Sequence, residues 1–281
     1  MDTKAIEMLY TQPGDTSVDN RGVSGYMTRT TRAGRQLDID VYPIIKNRDV
    51  QRAMRTEAQR AAQERVNARA RLRRVEGLLN ANFGEGDLWV TLTYRGECPG
   101  HERARKDVRN FLDRVKRLRK KRGLPELKYL GTIECADGEG EQVRLHHHIV
   151  MSGGLDRDEI ESLWHEGYAQ TRRLMPDPEA GLEGMARYIV KGERAHEMKR
   201  KPGVTRWRTW TCSRNLVEPR VTVSRHRISR RRVERLALEL PGVAKEVFEK
   251  LYPGYRFVKM DVRMAGEFPG AYIYARMRRT D

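Results

Sequence analysis

The sequence predicts an α+β fold, one antiparallel sheet with helices on one face and a long basic helix in front of it. Three observations carry that expectation. Residues 88–94, 128–135, 142–151 and 168–174 alternate apolar and polar side chains or are rich in β-branched residues, as strands do. Residues 101–122 and 156–166, which lie between them, place apolar side chains three and four apart, as helices do. Turn residues separate the segments, at Gly84 to Asp87, Pro99-Gly100, Gly123 and Asp137 to Gly140. The resulting order, β-α-β-β-α-β, is the split β-α-β, ferredoxin-like arrangement.

Taken from the N-terminus, residues 1–46 are polar and turn-rich, and read as a weakly ordered arm. Residues 47–83 hold a helix without proline, with Val50, Met54, Ala58, Ala61, Val66, Leu72, Val75 and Leu79 at helical steps. Its thin, alanine-rich stripe suits a helix lying on a surface or along a phosphate backbone better than one in a core. The main domain spans residues 84–225. In its first strand Leu88, Val90, Leu92 and Tyr94 share one face, and Trp89, Thr91 and Thr93 share the other. The helix at 101–122 carries eleven Lys/Arg against three acids. Residues 128–135 and 142–151 make a hairpin. Asp156 caps the next helix with Glu159 as its capping-box partner, and Tyr168, after Trp164, reads as a core aromatic. A last helix covers about 179–191, with Leu182, Met185 and Ile189 on the packing side. The second face of the sheet is expected to stay open for a flat ligand or a nucleic acid. Residues 226–281 read as a basic C-terminal extension.

Composition narrows the partners. With 56 Lys plus Arg against 39 Asp plus Glu, the chain of 281 residues carries a formal charge of +17. A chain this basic neutralises phosphates, and nucleic acid is the leading partner. A membrane is the weaker one, because no apolar run is long enough to span a bilayer and the start has no signal-peptide core. Three cysteines, Cys98, Cys135 and Cys212, have no paired spacing, so neither a disulfide framework nor a zinc ribbon is expected. A reducing cytoplasm is the expected setting. No Gly-rich phosphate loop of the Walker type is present, which argues against a fused helicase.

The densest chemistry lies in the third strand. Alternation puts His146 and His148 on one face, about 7 Å apart, and Leu145, His147 and Ile149 on the apolar other. Two imidazoles on one face are half of a divalent-metal site. Hairpin register can bring Glu134 beside them, a donor set that suits catalytic Mg²⁺ or Mn²⁺. Cys135 competes as the third ligand and would favour zinc; it alternates with Glu134, so only one of the two can face the histidines. In Arg187-Tyr188-Ile189-Val190-Lys191, Tyr188 and Lys191 share a helix face. A phenol becomes a nucleophile when a nearby cation favours its ionised form; a packed, half-buried tyrosine is the other reading.

Together these motifs resemble the HUH endonucleases. Leu88 to Tyr94 resembles their first motif, His146-His147-His148 their His-hydrophobic-His motif, and Tyr188-Ile189-Val190-Lys191 their single-tyrosine motif. Residues 78–94 and Ser213-Arg214-Asn215-Leu216 further resemble the filamentous-phage gene II type of replication-associated protein. His147 departs from the motif, which prefers an aliphatic residue. The resemblance implies a rolling-circle replication initiator that nicks single-stranded origin DNA. It implies that Tyr188 attacks the scissile phosphate and leaves a 5′-phosphotyrosine link and a 3′-hydroxyl for host replication machinery. His146, His148 and Glu134 would then hold the metal, and Lys191 would position the phosphate or the phenolate. Thr91 and Thr93 would shape the strand-binding site. Lys199, Arg200, Lys201, Arg206, Trp207, Arg208, Trp210 and Arg214 would supply the cations and stacking surfaces that single-stranded DNA needs. A transposase or mobilisation relaxase with the same chemistry is the near alternative. A non-catalytic ferredoxin-like nucleic-acid-binding protein is the alternative of another class.

Overall fold

The computed structural model describes residues 18–45, 57–97, 99–136, 142–198, 210–225, 227–238, 241–265 and 268–280. The chain divides into two units, one of Met1–Asn67 with Pro219–Asp281, the other of Ala68–Glu218. Each contains one five-stranded antiparallel sheet, and the α+β class is observed. Among the described residues no helix is long and apolar enough to cross a membrane.

The first unit holds β1 (Val23–Ala33), β2 (Gln36–Ile45), β8 (Arg220–Arg225), β9 (Tyr255–Ala265) and β10 (Phe268–Arg279), with α5 (Arg230–Leu238) and α6 (Pro241–Leu251). Its strand order is β8-β1-β2-β10-β9. Tyr26, Leu37, Ile39, Val233, Phe248, Ile273 and Met277 build its core. Residues 18–45 are thus not the weakly ordered arm expected from sequence. They form a hairpin whose apolar face is buried by strands and helices from the other end of the chain. The residues read as a C-terminal extension belong to the same sheet, and β8, placed by the sequence in the main domain, pairs with β1.

In the second unit the described chain runs through the end of α1 (Glu57–Asn82), β3 (Leu88–Tyr94), α2 (His101–Lys121), β4 (Tyr129–Ala136), β5 (Gln142–Met151), α3 (Arg157–Ser162), β6 (Gly167–Arg173), α4 (Glu183–Met198) and β7 (Trp210–Cys212). The strand order is β6-β3-β5-β4-β7. Hence β3 and β4, joined through α2, flank β5, while β5 and β6, joined through α3, flank β3. The strand β7 is an addition that the sequence reading lacked, held to β4 by the pairs Leu130↔Cys212 and Thr132↔Trp210.

Local chemistry explains the elements. In α2, Ala104, Phe111, Leu112 and Val115 fall on one buried face, Glu102 sits in the first turn and Arg119, Lys120 and Lys121 in the last. Those charges complement the helix dipole. The helix ends in a Schellman turn, with Gly123 at φ 66°, its N–H on Lys120 O (3.2 Å) and Leu124 N–H on Arg119 O (3.0 Å). Asp156 caps α3 by accepting from Asp158 N–H at 2.8 Å. Glu159 is not its capping-box partner; its carboxylate pairs with Arg122. Gly167 opens β6 where a Cβ would lie 2.1 Å from Thr93 O, so only glycine lets β6 meet the end of β3.

The sheet is covered on both faces. On one, Leu88, Val90, Leu92, Leu145, Ile149 and Met151 pack against Phe111, Leu112 and Val115 of α2, Ile160 of α3 and Trp164. Complete burial of a side chain such as Phe111 contributes about 1.5–3 kcal/mol. On the other, Trp89, Leu130 and Val150 pack beneath Val75, Leu78 and Leu79 of α1, Leu182 just before α4, and Ala186 and Ile189 of α4. This face is not open as expected, and the end of α1 is a core element instead of a surface helix. Tyr168 also departs from expectation: it is 65% exposed, on the edge strand β6, with the Arg95 guanidinium 5.4 Å from its ring centre.

Candidate active site

Register brings the expected residues together. Glu134 of β4 pairs with His146 of β5, and Thr91 of β3 pairs with His148. Because side chains alternate, Glu134, His146 and His148 emerge on the face that carries α4. Their ligand atoms all lie within 4.8 Å of one another. From α4, Tyr188 reaches the same point, its Oη donating to Glu134 Oε2 at 2.9 Å. The same oxygen lies 2.9 Å from His146 Nε2 and 3.2 Å from His148 Nε2. One carboxylate oxygen therefore meets three groups from two other elements.

The outer nitrogens of the two rings fix what the inner ones can do. His146 Nδ1 lies 2.6 Å from Arg144 O. A carbonyl can only accept, so Nδ1 carries the proton and a neutral ring turns a lone pair toward the carboxylate. Two acceptors at that distance hold together only with positive charge between them, a second proton on the ring or a metal ion. His148 Nδ1 is held by Thr91 Oγ1 at 3.2 Å. Burial and the neighbouring His146 push His148 down to about 4, against the opposing pull of Glu134, so this ring is neutral at pH 7. Two imidazole nitrogens and a carboxylate oxygen form a donor set that fits a divalent cation. Their outer atoms are already tied down, as metal-binding imidazoles require.

Burial, then the hydrogen bond to Glu134 and its charge, push Tyr188 up to about 12. The phenol is held protonated, and at 39% exposed it remains reachable from solvent. Its ring stands edge-on to His148, with centres 4.7 Å apart, and edge-on to Trp89 at 5.8 Å.

Trp89 is the residue that the sequence reading missed. Its indole stacks on His148, centres 5.2 Å apart and planes 18° from parallel, and so braces both the metal-type ligand and the tyrosine. Alternation along β3 held the signal, since Trp89 shares a face with Thr91. His147 behaves as its apolar surroundings demand. Its Nε2 meets Tyr94 Oη at 2.9 Å, and burial, reinforced by the flanking histidines, pushes it down to about 3.

Other expected residues stand apart from the cluster. Lys191 is exposed on α4 and, among the described residues, makes no ion pair with Glu134. Thr93 donates to Tyr168 O at 3.2 Å. Trp210 is half-buried against the Leu130 cluster, so its indole packs where a stacking surface was expected. Arg214 is exposed in the turn after β7. Lys199, Arg200, Lys201, Arg206, Trp207 and Arg208 lie outside the described residues, as does the side chain of Cys135.

Neither the curated proteins nor the solved structures contain a significant match to the chain. Among protein families, residues 87–193 match the one described as replication-associated protein, of the ORF2 and gene II protein type. That stretch runs from the turn before β3 into α4, and includes Glu134, both histidines and Tyr188. Over these residues the chain is similar to this replication-associated protein family, in keeping with the gene II type that its motifs resemble.

Proposed function

We propose that the protein initiates rolling-circle replication by nicking single-stranded origin DNA at Tyr188, within a ferredoxin-like HUH endonuclease core. The observation that carries this reading is the convergence of Tyr188 Oη, His146 Nε2 and His148 Nε2 on Glu134 Oε2. The order β6-β3-β5-β4, with α2 and α3 as its crossovers, supports the core assignment.

Tyr188 supplies the nucleophile. Glu134 Oε2 orients its hydroxyl and accepts its proton as Oη bonds to the scissile phosphorus. The bond from phosphorus to the 3′-oxygen breaks, and that oxygen takes a proton from water to leave as a 3′-hydroxyl. The 5′ side of the nick stays attached to Tyr188 as a phosphotyrosine. His146, His148 and Glu134 would hold Mg²⁺ or Mn²⁺, which when bound polarises a phosphate oxygen and adds the positive charge that favours phenolate. Arg144 O and Thr91 Oγ1 keep the two imidazoles turned toward that position. Trp89 limits rotation of both His148 and Tyr188. Lys191, three residues from Tyr188 on α4, adds charge for the phosphate or the phenolate. Thr91, Thr93 and Arg214, with the basic stretch after α4, contact the strand.

A sheet that reads bases with an open aromatic face is disfavoured by the helices that cover this face. The deciding experiment is to incubate the protein with single-stranded origin DNA and Mn²⁺, digest it, and locate the attached nucleotide by mass. Attachment at Tyr188 is expected. An adduct at another residue, or cleavage with no adduct, overturns the assignment.

A further inference from the structure

A second site lies on the opposite face of the same sheet, outside the tyrosine cluster. A cleft of about 310 Å³ opens between α2 and the edge formed by β4 and β7. Arg105, Arg109 and Lys116 line it from α2, at four- and seven-residue steps that keep them on one side of the helix. Arg109 and Lys116 are exposed. Lys116 meets Asp113 at 3.0 Å, but both are half-exposed, and such a pair yields readily to a stronger anion. Beneath this cationic edge the walls are apolar, with Leu112 and Tyr129 among them.

His147 also lines the cleft, and it supplies an independent pointer. The ring is only 1% exposed, its Nε2 is committed to Tyr94 Oη, and its Nδ1 has no hydrogen-bond partner among the described residues. A buried ring nitrogen left this way has given up its hydrogen bond to water and gained none in return. An apolar ligand cannot relieve that cost, and a bare anion cannot use the apolar walls. A planar heterocycle bearing a phosphate satisfies all three features: ring edge to Nδ1, ring faces to the walls, phosphate to the guanidinium and ammonium groups. The volume falls at the small end of ordinary ligand pockets.

We infer that this cleft binds a nucleoside phosphate, either a free nucleotide or one residue of a single strand passing behind the sheet. The inference does not depend on whether Tyr188 nicks DNA. It is tested on the full chain carrying ¹⁵N-histidine, in excess chelator, with deoxyadenosine 5′-monophosphate, a four-residue oligothymidylate and inorganic phosphate as separate probes. The nucleotide or the oligonucleotide should move the His147 Nδ1 signal saturably. Arg109→Ala, an exposed position that leaves the core intact, and Lys116→Ala should each weaken that binding at least tenfold. Inorganic phosphate alone should bind at least tenfold more weakly. A response to the oligonucleotide alone supports the site and assigns it to a strand; a response to both supports it for free nucleotide as well. An unmoved Nδ1 signal at saturating probe, unchanged binding in both variants, or phosphate binding as tightly as nucleotide overturns the inference.

Discussion

Replacing Tyr188 by phenylalanine separates chemistry from architecture at the candidate site. The ring would keep its edge contacts with His148 and Trp89, because these involve carbon atoms that both residues share. What disappears is one oxygen and its 2.9 Å hydrogen bond to Glu134. A hydrogen bond to a charged group is worth about 1.5–3 kcal/mol when sheltered, and partial exposure reduces this to about 1 kcal/mol. For a unit of this size, that corresponds to a fall in Tm of about 2–4 °C. Tyr188→Phe should therefore melt within a few degrees of the parent and bind single-stranded origin DNA with similar affinity. It should yield no covalent protein–DNA adduct on a denaturing gel. An adduct formed at the parental rate would refute the nucleophile assignment. Loss of binding or a Tm drop above about 10 °C, well beyond what one hydrogen bond supplies, would refute the argument that the hydroxyl is structurally minor.

The remaining predictions address the rest of the site and its support. Thr91→Val removes the hydroxyl that holds His148 Nδ1 and should weaken Mn²⁺ binding about 10–100-fold; an unchanged calorimetric titration would remove Thr91 from the site's support. Burial holds His147 and His148 neutral in the fold, at about 3 and about 4, whereas both titrate near 6.5 when unfolded. The unfolded chain thus binds the extra protons, so stability present above pH 6.5 should be lost as pH falls toward 4, by about 1.4 kcal/mol per pH unit for each ring. Urea unfolding at pH 7 and pH 5 measures this slope, and His147→Leu should make it shallower; equal slopes would contradict the burial argument. Leu79→Ala, at a fully buried position in α1, should cost the second unit about 2–5 kcal/mol. A thermal melt within a degree of the parent would return α1 to the surface role expected from its composition.

The parts of the fold legible in the sequence are those set by local signals. Each strand from β3 to β6 alternates within itself and ends at a turn residue, so their order can be read without tertiary information. Glu134 can be paired with the histidines because a hairpin's register is a short-range property. The first unit is not legible for the opposite reason. Thr28 to Arg32 carries little apolar signal, and β2 finds its second neighbour in β10, more than 230 residues away by the pairing of Val41 with Ile273. The end of α1 is hard to judge because its alanine- and arginine-rich first half dilutes the cluster of Val75, Leu78, Leu79 and Phe83. Trp89 falls on the correct face by alternation but gains no partner that way, since stacking on His148 depends on rotamers that alternation does not specify.

The three consecutive histidines give β5 an unusual intolerance of error. Slippage by a single position against β3 and β4 would turn every side chain over. His147 would then stand beside Glu134, while His146 and His148 would be driven among Leu92, Phe111 and Trp164. A chain caught in that state would bury two imidazoles in oil and present one where two belong. Correct zippering of the sheet and assembly of the cluster around Glu134 are therefore one and the same folding event.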